Sequence, residues 1–178
     1  MKNRVLANTL IATASIALLL SAADASAFTS GRFLRANGEG GYTAGKFSAA
    51  RGPNGGGFVH GRRVTTDGQG DVTSARGSAF RGPNGGTGAR FGRNTVNADG
   101  SASHASGFQG SNARGSVQSN GSATRSADGT VDQSRTSTAT SAATGNSIQV
   151  NESYNKDSGL TRSATCSDAA GNTIPCAR

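Results

Sequence analysis

Tryptophan is absent from this chain of 178 residues, methionine occurs once, cysteine twice and proline three times. Aromatic residues make up only 5% of it and charged residues 16%. Beyond residue 27 there is no long apolar run, and seven Phe, seven Val, two Ile and two Leu are all the large apolar residues of that type. So little apolar surface excludes the thick core of an ordinary globular domain, because burial could not offset the entropy of ordering the chain. Sustained helical periodicity is also missing, and 27 glycines oppose long helices.

Chemistry is as sparse as the core. The cysteines, Cys166 and Cys176, do not form a C-x-x-C pair and have no histidine nearby, so a redox or metal role is unsupported. His60 and His104 are the only histidines and lie far apart. Gly40-x4-Gly45-Lys46 resembles the start of a phosphate loop, but Phe47 stands where a hydroxyl should hold magnesium. Asp67/Asp71 and Asp128/Asp132 pair carboxylates near turns, yet supply too few oxygens for calcium, and turn formation explains them. There is no G-x-S-x-G elbow, and a thin core holds catalytic groups poorly. The expectation is a non-enzyme without cofactor, metal or nucleotide.

What the chain does have is a repeated pair of turns. One beat falls at Asn37, Asp67, Asp99, Asp128 and Asp157, and the other at Asn54, Asn84, Asn112, Asn146 and Asn172. Each recurs about every 30 residues. Arg51-Gly-Pro-Asn-Gly-Gly56 and Arg81-Gly-Pro-Asn-Gly-Gly86 are the same six residues. Asp-Gly and Asn-Gly supply the positive φ angles of tight hairpins, and Pro53 and Pro83 preset the first central turn position. Between turns the chain alternates. Val72, Ser74, Arg76, Ser78 and Phe80 share one face, as do Ile148, Val150, Glu152 and Tyr154.

This predicts an all-β fold, a repetitive antiparallel meander of about eleven short strands and ten turns. A two-sided β-solenoid with 30 residues per coil fits the same period, and the composition alone would also suit a largely disordered chain. The Cys166/Cys176 spacing across the last turn predicts a disulfide on a terminal hairpin and favours the meander.

Residues 1–27 read as a signal peptide: Lys2 and Arg4, an apolar stretch from Leu6 to Leu20, and Ala25-Ser26-Ala27 as cleavage site. Residues 28–178 then form a single β-repeat domain with no membrane span. Export to the periplasm, cell surface or exterior follows. Charge divides that domain. Residues 28–93 carry nine Arg and Lys46 against three acids, together with most of the Phe, whereas 94–178 is neutral and rich in Ser, Thr and Ala.

The Gly-Pro-Asn-Gly turns alternating with Asp-Gly turns resemble tandem repeats of uncharacterised exported bacterial proteins. The likeness extends over residues 37–172 and is sharpest from Arg51 to Gly100. A looser similarity is to curlin-type amyloid subunits, from which the chain departs by lacking regular Gln and Asn ladders. The resemblance implies export and repeat architecture and carries no active site. Two functional expectations follow. The first is a structural or adhesive protein of the bacterial envelope or matrix, self-associating through β-edges. The second is a polyanion-binding module for lipopolysaccharide, acidic polysaccharide or extracellular DNA. It would use Arg51, Arg62, Arg63, Arg76, Arg81, Arg90 and Arg93, with Phe58, Phe80 and Phe91 among them.

Overall fold

The computed structural model describes residues 27–176, so the expected signal peptide lies outside the described residues except for Ala27. Eleven strands form one open antiparallel sheet, each paired with its sequence neighbours in order from the first to the last. They are β1 (Ala27–Ala36), β2 (Tyr42–Arg51), β3 (Gly57–Thr66), β4 (Val72–Arg81), β5 (Thr87–Val96), β6 (Ala102–Asn112), β7 (Gly115–Arg125), β8 (Val131–Ser141), β9 (Ser147–Asn155), β10 (Gly159–Ser167) and β11 (Thr173–Ile174). The all-β meander is therefore the fold, and the solenoid and disordered alternatives fall away. The 30-residue period has a simple origin. Strands β1 to β5 are each ten residues long and are joined by five-residue turns, so two strands and two turns make one period.

Most of the turns are longer than tight hairpins with Asn-Gly or Asp-Gly at their centre, the two-residue link between Asn112 and Gly115 excepted. A type I′ hairpin needs positive φ at both central residues, and no non-glycine residue among those described has positive φ. At 52–56, 82–86, 97–101, 126–130 and 168–172 the first amide instead donates to the fifth carbonyl, and the fourth amide to the first carbonyl. The fourth residue of each is a glycine with φ between 74 and 88°. That is a turn closed by a left-handed glycine, where a β-carbon would meet the following carbonyl. In the turn at 37–41 the left-handed residue is Gly40, not the Gly38 that follows Asn37. The Asn37 and Asp67 Oδ1 atoms each accept the amides two and four residues on. The first beat thus mixes first-position clamps (Asn37, Asp67) with third-position residues (Asp99, Asp128) that accept from the amide two residues on.

The sheet is one layer thick. Among the described residues no large side chain is fully buried, and Ala79, Cys166 and Thr43 are the most enclosed side chains. Stability must come from backbone ladders and cross-strand pairs. Two devices recur in those pairs. Thr43 and Thr73 hydrogen-bond Thr65 and Thr95 through hydroxyls at 3.3 Å, and serine pairs such as Ser119/Ser137 do the same at 2.8 Å. Elsewhere a phenylalanine ring lies over the glycine opposite it. Phe47 covers Gly31, Phe33 covers Gly45, Phe80 covers Gly88 and Phe91 covers Gly107. A Cβ at Gly31 would approach the Phe47 ring to 2.5 Å. This buries ring surface where a second layer is absent.

The expected disulfide is present, though not between ladder partners. Cys166 lies opposite Ile174 in the ladder, and the chain runs on two residues to Cys176, with 5.3 Å between the cysteine Cα atoms. It pins the two-residue β11 and the segment after it to β10.

A pair of alanine substitutions separates turn conformation from crowding, because nothing lies within 4 Å of a β-carbon at Gly100 or Gly38. Gly100→Ala, at φ 82°, is expected to cost about 1–2 kcal/mol. Gly38→Ala, outside the left-handed region, is expected to leave the urea midpoint unchanged.

Candidate functional site

Ladder register sorts the charged residues into rows that cross the strands. On one face, called the front, Arg32, Lys46, Arg62 and Arg76 stand directly opposite one another on β1 to β4. All four are exposed. Neighbouring strands are about 4.8 Å apart, so the four side chains rise from a line roughly 14 Å long. The row continues through Gly92, Ser106 and Gly121 to Arg135, Glu152 and Arg162. Its two ends differ in kind. At the C-terminal end Glu152 is interposed between two arginines and pairs with Arg162 at 3.3 Å, the only ion pair among the described residues. At the N-terminal end no carboxylate enters the row. Like charges directly opposite one another on a sheet are destabilising, so the four-cation ladder is a local cost in the free chain.

Rows parallel to the ladder define its surroundings. On one side run Ser30, Ser48, His60 and Ser78, then Arg90, whose Nε donates to the Ser78 hydroxyl at 3.0 Å. On the other side run Leu34, Ala44, Val64 and Ser74. Beyond the serine row an apolar row crosses the whole sheet and includes Phe28, Phe58, Phe80, Val117 and Ile148. These five side chains are open to solvent, Phe28 at 70% and Phe80 at 51%.

The structure divides the arginines singled out in the sequence. Arg62, Arg76 and Arg90 share the front. Arg51, Arg63, Arg81 and Arg93 lie on the back, where Gly57 separates Arg51 from Arg81 and Ala75 separates Arg63 from Arg93. One nitrogen of Arg51, Nη1, is buried without a hydrogen-bond partner. Phe58 and Phe80 are on the front and Phe91 is on the back, so the expected interleaving of arginine with aromatic rings does not form one surface. Sequence reasoning missed Arg32 and Lys46. The signal was there: Arg32 precedes Arg62, and Lys46 precedes Arg76, by the same 30 residues that separate the turns.

His60 and His104 lie on separate strands, in different rows, and the His104 Nδ1 is paired with Asn94 at 2.6 Å. Gly45 and Lys46 lie inside β2, so the phosphate-loop resemblance has no loop. The Asp67 carboxylate accepts the Gln69 and Asp71 amides, and the Asp71 carboxylate accepts the Ala98 amide of the next turn on that edge. Because hairpin turns alternate ends, Glu39, Asp67, Asp71, Asp99, Asp128 and Asp157 all fall in turns along one edge. The Pro-Asn-Gly turns lie along the other. The Ser101 hydroxyl and then its amide hold Asp99 below the ordinary carboxylate value. The Thr130 amide and then its hydroxyl do so for Asp128. The Asn172 side chain and then its amide do so for Asp168.

No family model, curated protein or solved structure matches the chain.

Two outcomes follow. Removing one cation, as in Arg62→Ser, should raise stability at low salt by about 0.2–1 kcal/mol. Thermal unfolding in about 1 M salt, where screening reaches roughly 3 Å, should show no such gain. The second concerns pH. Depressed folded-state values mean that Asp99 and Asp128 stabilise their turns above the ordinary carboxylate value of 3.8. That contribution is lost as pH falls through the lower folded values. Amide exchange at Ser101 and Thr130 should accelerate only below the ordinary carboxylate range, and Asp99→Asn should remove that transition at Ser101.

Proposed function

We propose that the chain is a non-enzymatic structural or adhesive protein, exported to the bacterial envelope or extracellular matrix, that works by associating with copies of itself through its sheet edges. The observation that carries this reading is the open edge. β1 is ten residues long and, among the described residues, pairs on one side only, with β2. An unpaired full-length strand is a template for another strand, and folded proteins usually shorten, charge or cover it. The opposite end is treated differently, with β10 partly covered by β11 and the disulfide-held segment. Two unlike edges favour head-to-tail addition, which propagates instead of closing into a dimer. A fold with exposed faces and cross-strand hydroxyl pairs suits extended assembly better than an enclosed reaction site.

Sedimentation velocity over a range of concentrations tests this. The oxidised protein should form a growing series of oligomers with an unchanged β spectrum. Thr29→Glu with Arg35→Glu places two carboxylates on the β1 edge and should leave a monomer of the same circular dichroism. A wild-type protein that stays monomeric at every concentration removes the reading.

A further inference from the structure

We propose that the Arg32–Lys46–Arg62–Arg76 ladder is a binding site for a linear acidic polysaccharide, a chain bearing one carboxylate on each sugar, which lies across strands β1 to β4 on the front face. The site does not rest on self-association, since one copy of the chain contains all of it.

Three observations converge on this ligand. The first is uncompensated charge. Four exposed cations are opposite one another in consecutive strands, whereas the same row at β8 to β10 interposes Glu152. A line of anions relieves the repulsion and adds charge-assisted hydrogen bonds, which guanidinium forks make to carboxylates in pairs. The second is spacing. Cations set by strand separation recur about every 4.8 Å, which is close to the length of one sugar ring in an extended chain. The third is what flanks the line. Ser30, Ser48, His60 and Ser78 form a hydroxyl and imidazole row along one side, suited to sugar hydroxyls. Leu34, Ala44 and Val64 give an aliphatic strip along the other, suited to the apolar face of a ring.

The same surroundings disfavour nucleic acid. Single strands are held by bases stacked on aromatic side chains beside the cations. Here the nearest phenylalanine and tyrosine rings of those strands on that face, Phe28, Phe58 and Phe80 on one side and Tyr42 on the other, lie two rows away from the ladder, about 13 Å along the strands. A flat sheet face also offers no helix or ribbon to enter a groove.

The test uses the full chain, polygalacturonate as the acidic probe, dextran as its neutral counterpart and oligothymidylate as the nucleic-acid control, measured by calorimetry at two salt concentrations. Polygalacturonate should bind, dextran should not, and affinity should fall with salt as counterions are released. Replacing Arg32, Lys46, Arg62 and Arg76 together by Ser should weaken binding on the order of tenfold or more. Replacing Arg35, Arg63, Arg81 and Arg93 by Ser removes the same charge from the back face and should change affinity by less than about threefold. Equal losses in the two variants would mean charge without a site and would overturn the proposal. So would tighter binding of oligothymidylate than of polygalacturonate. If the ladder variant does not fold, oligogalacturonates on the unaltered chain decide the matter. Affinity should climb from one sugar to four, one for each cation, and a flat response over that range refutes the ladder. The Thr29→Glu/Arg35→Glu monomer should bind as the parent does, since both residues lie on the back of β1, so loss of self-association and loss of this site are read separately.

Discussion

Register is the constraint on which the rest of this protein depends. With no second layer and hardly a buried side chain, the only thing that fixes the position of one residue relative to another across the sheet is the backbone ladder and the turn that starts it. Five-residue turns on ten-residue strands keep that register constant over the first half of the chain. Identical positions in successive repeats therefore fall on the same line across the sheet. A one-residue slip would send every side chain of a strand to the opposite face. The left-handed glycines prevent that slip, and so the turns matter more to the chemistry of the faces than any side chain on them.

Much of this was legible in the sequence. The turn period, the alternation at 72–80 and 148–154, the strand number and the terminal disulfide all rest on local patterns, and local patterns suffice when each strand pairs with the next. Three things were not. The location of the positive φ residue depends on turn length, so Asn37-Gly38 looked like a turn centre although Gly40 fills that role. The ladder partner of Cys166 is Ile174, because Cys176 lies past the end of β11. The distribution of arginine between faces depends on strand phase, which turned seven candidates into two sets on opposite sides and left Arg32 and Lys46 outside the group. Counting charge along the chain sees none of this, whereas counting it modulo 30 would have seen most of it.

The sheet also separates its charges. Six of the carboxylates lie in the turns of one edge, where amides engage Asp67, Asp71, Asp99 and Asp128, and most cations occupy the strands. Acids committed to turns are poorly placed to neutralise arginines in mid-strand, so the front ladder keeps its full charge. The C-terminal strands show the alternative, since one glutamate placed in the row is enough to make an ion pair. The N-terminal part thereby leaves its row of cations unmatched, while the C-terminal part is neutral and holds the one ion pair among the described residues.

Pairing in strict sequence order has a mechanical consequence. The first and last strands lie at opposite ends of the sheet, so a load applied through the two termini pulls across the strands and not along them. Backbone bonds then break one after another, as in a zipper, instead of sharing the force. Each ten-residue strand with its five-residue turn would release about 50 Å of slack. The disulfide removes only the last hairpin from this sequence, so the strands that peel are β1 to β10. A force–extension trace with evenly spaced, low peaks is the behaviour of a compliant tether, and a single high peak would show that the faces are shielded by something else.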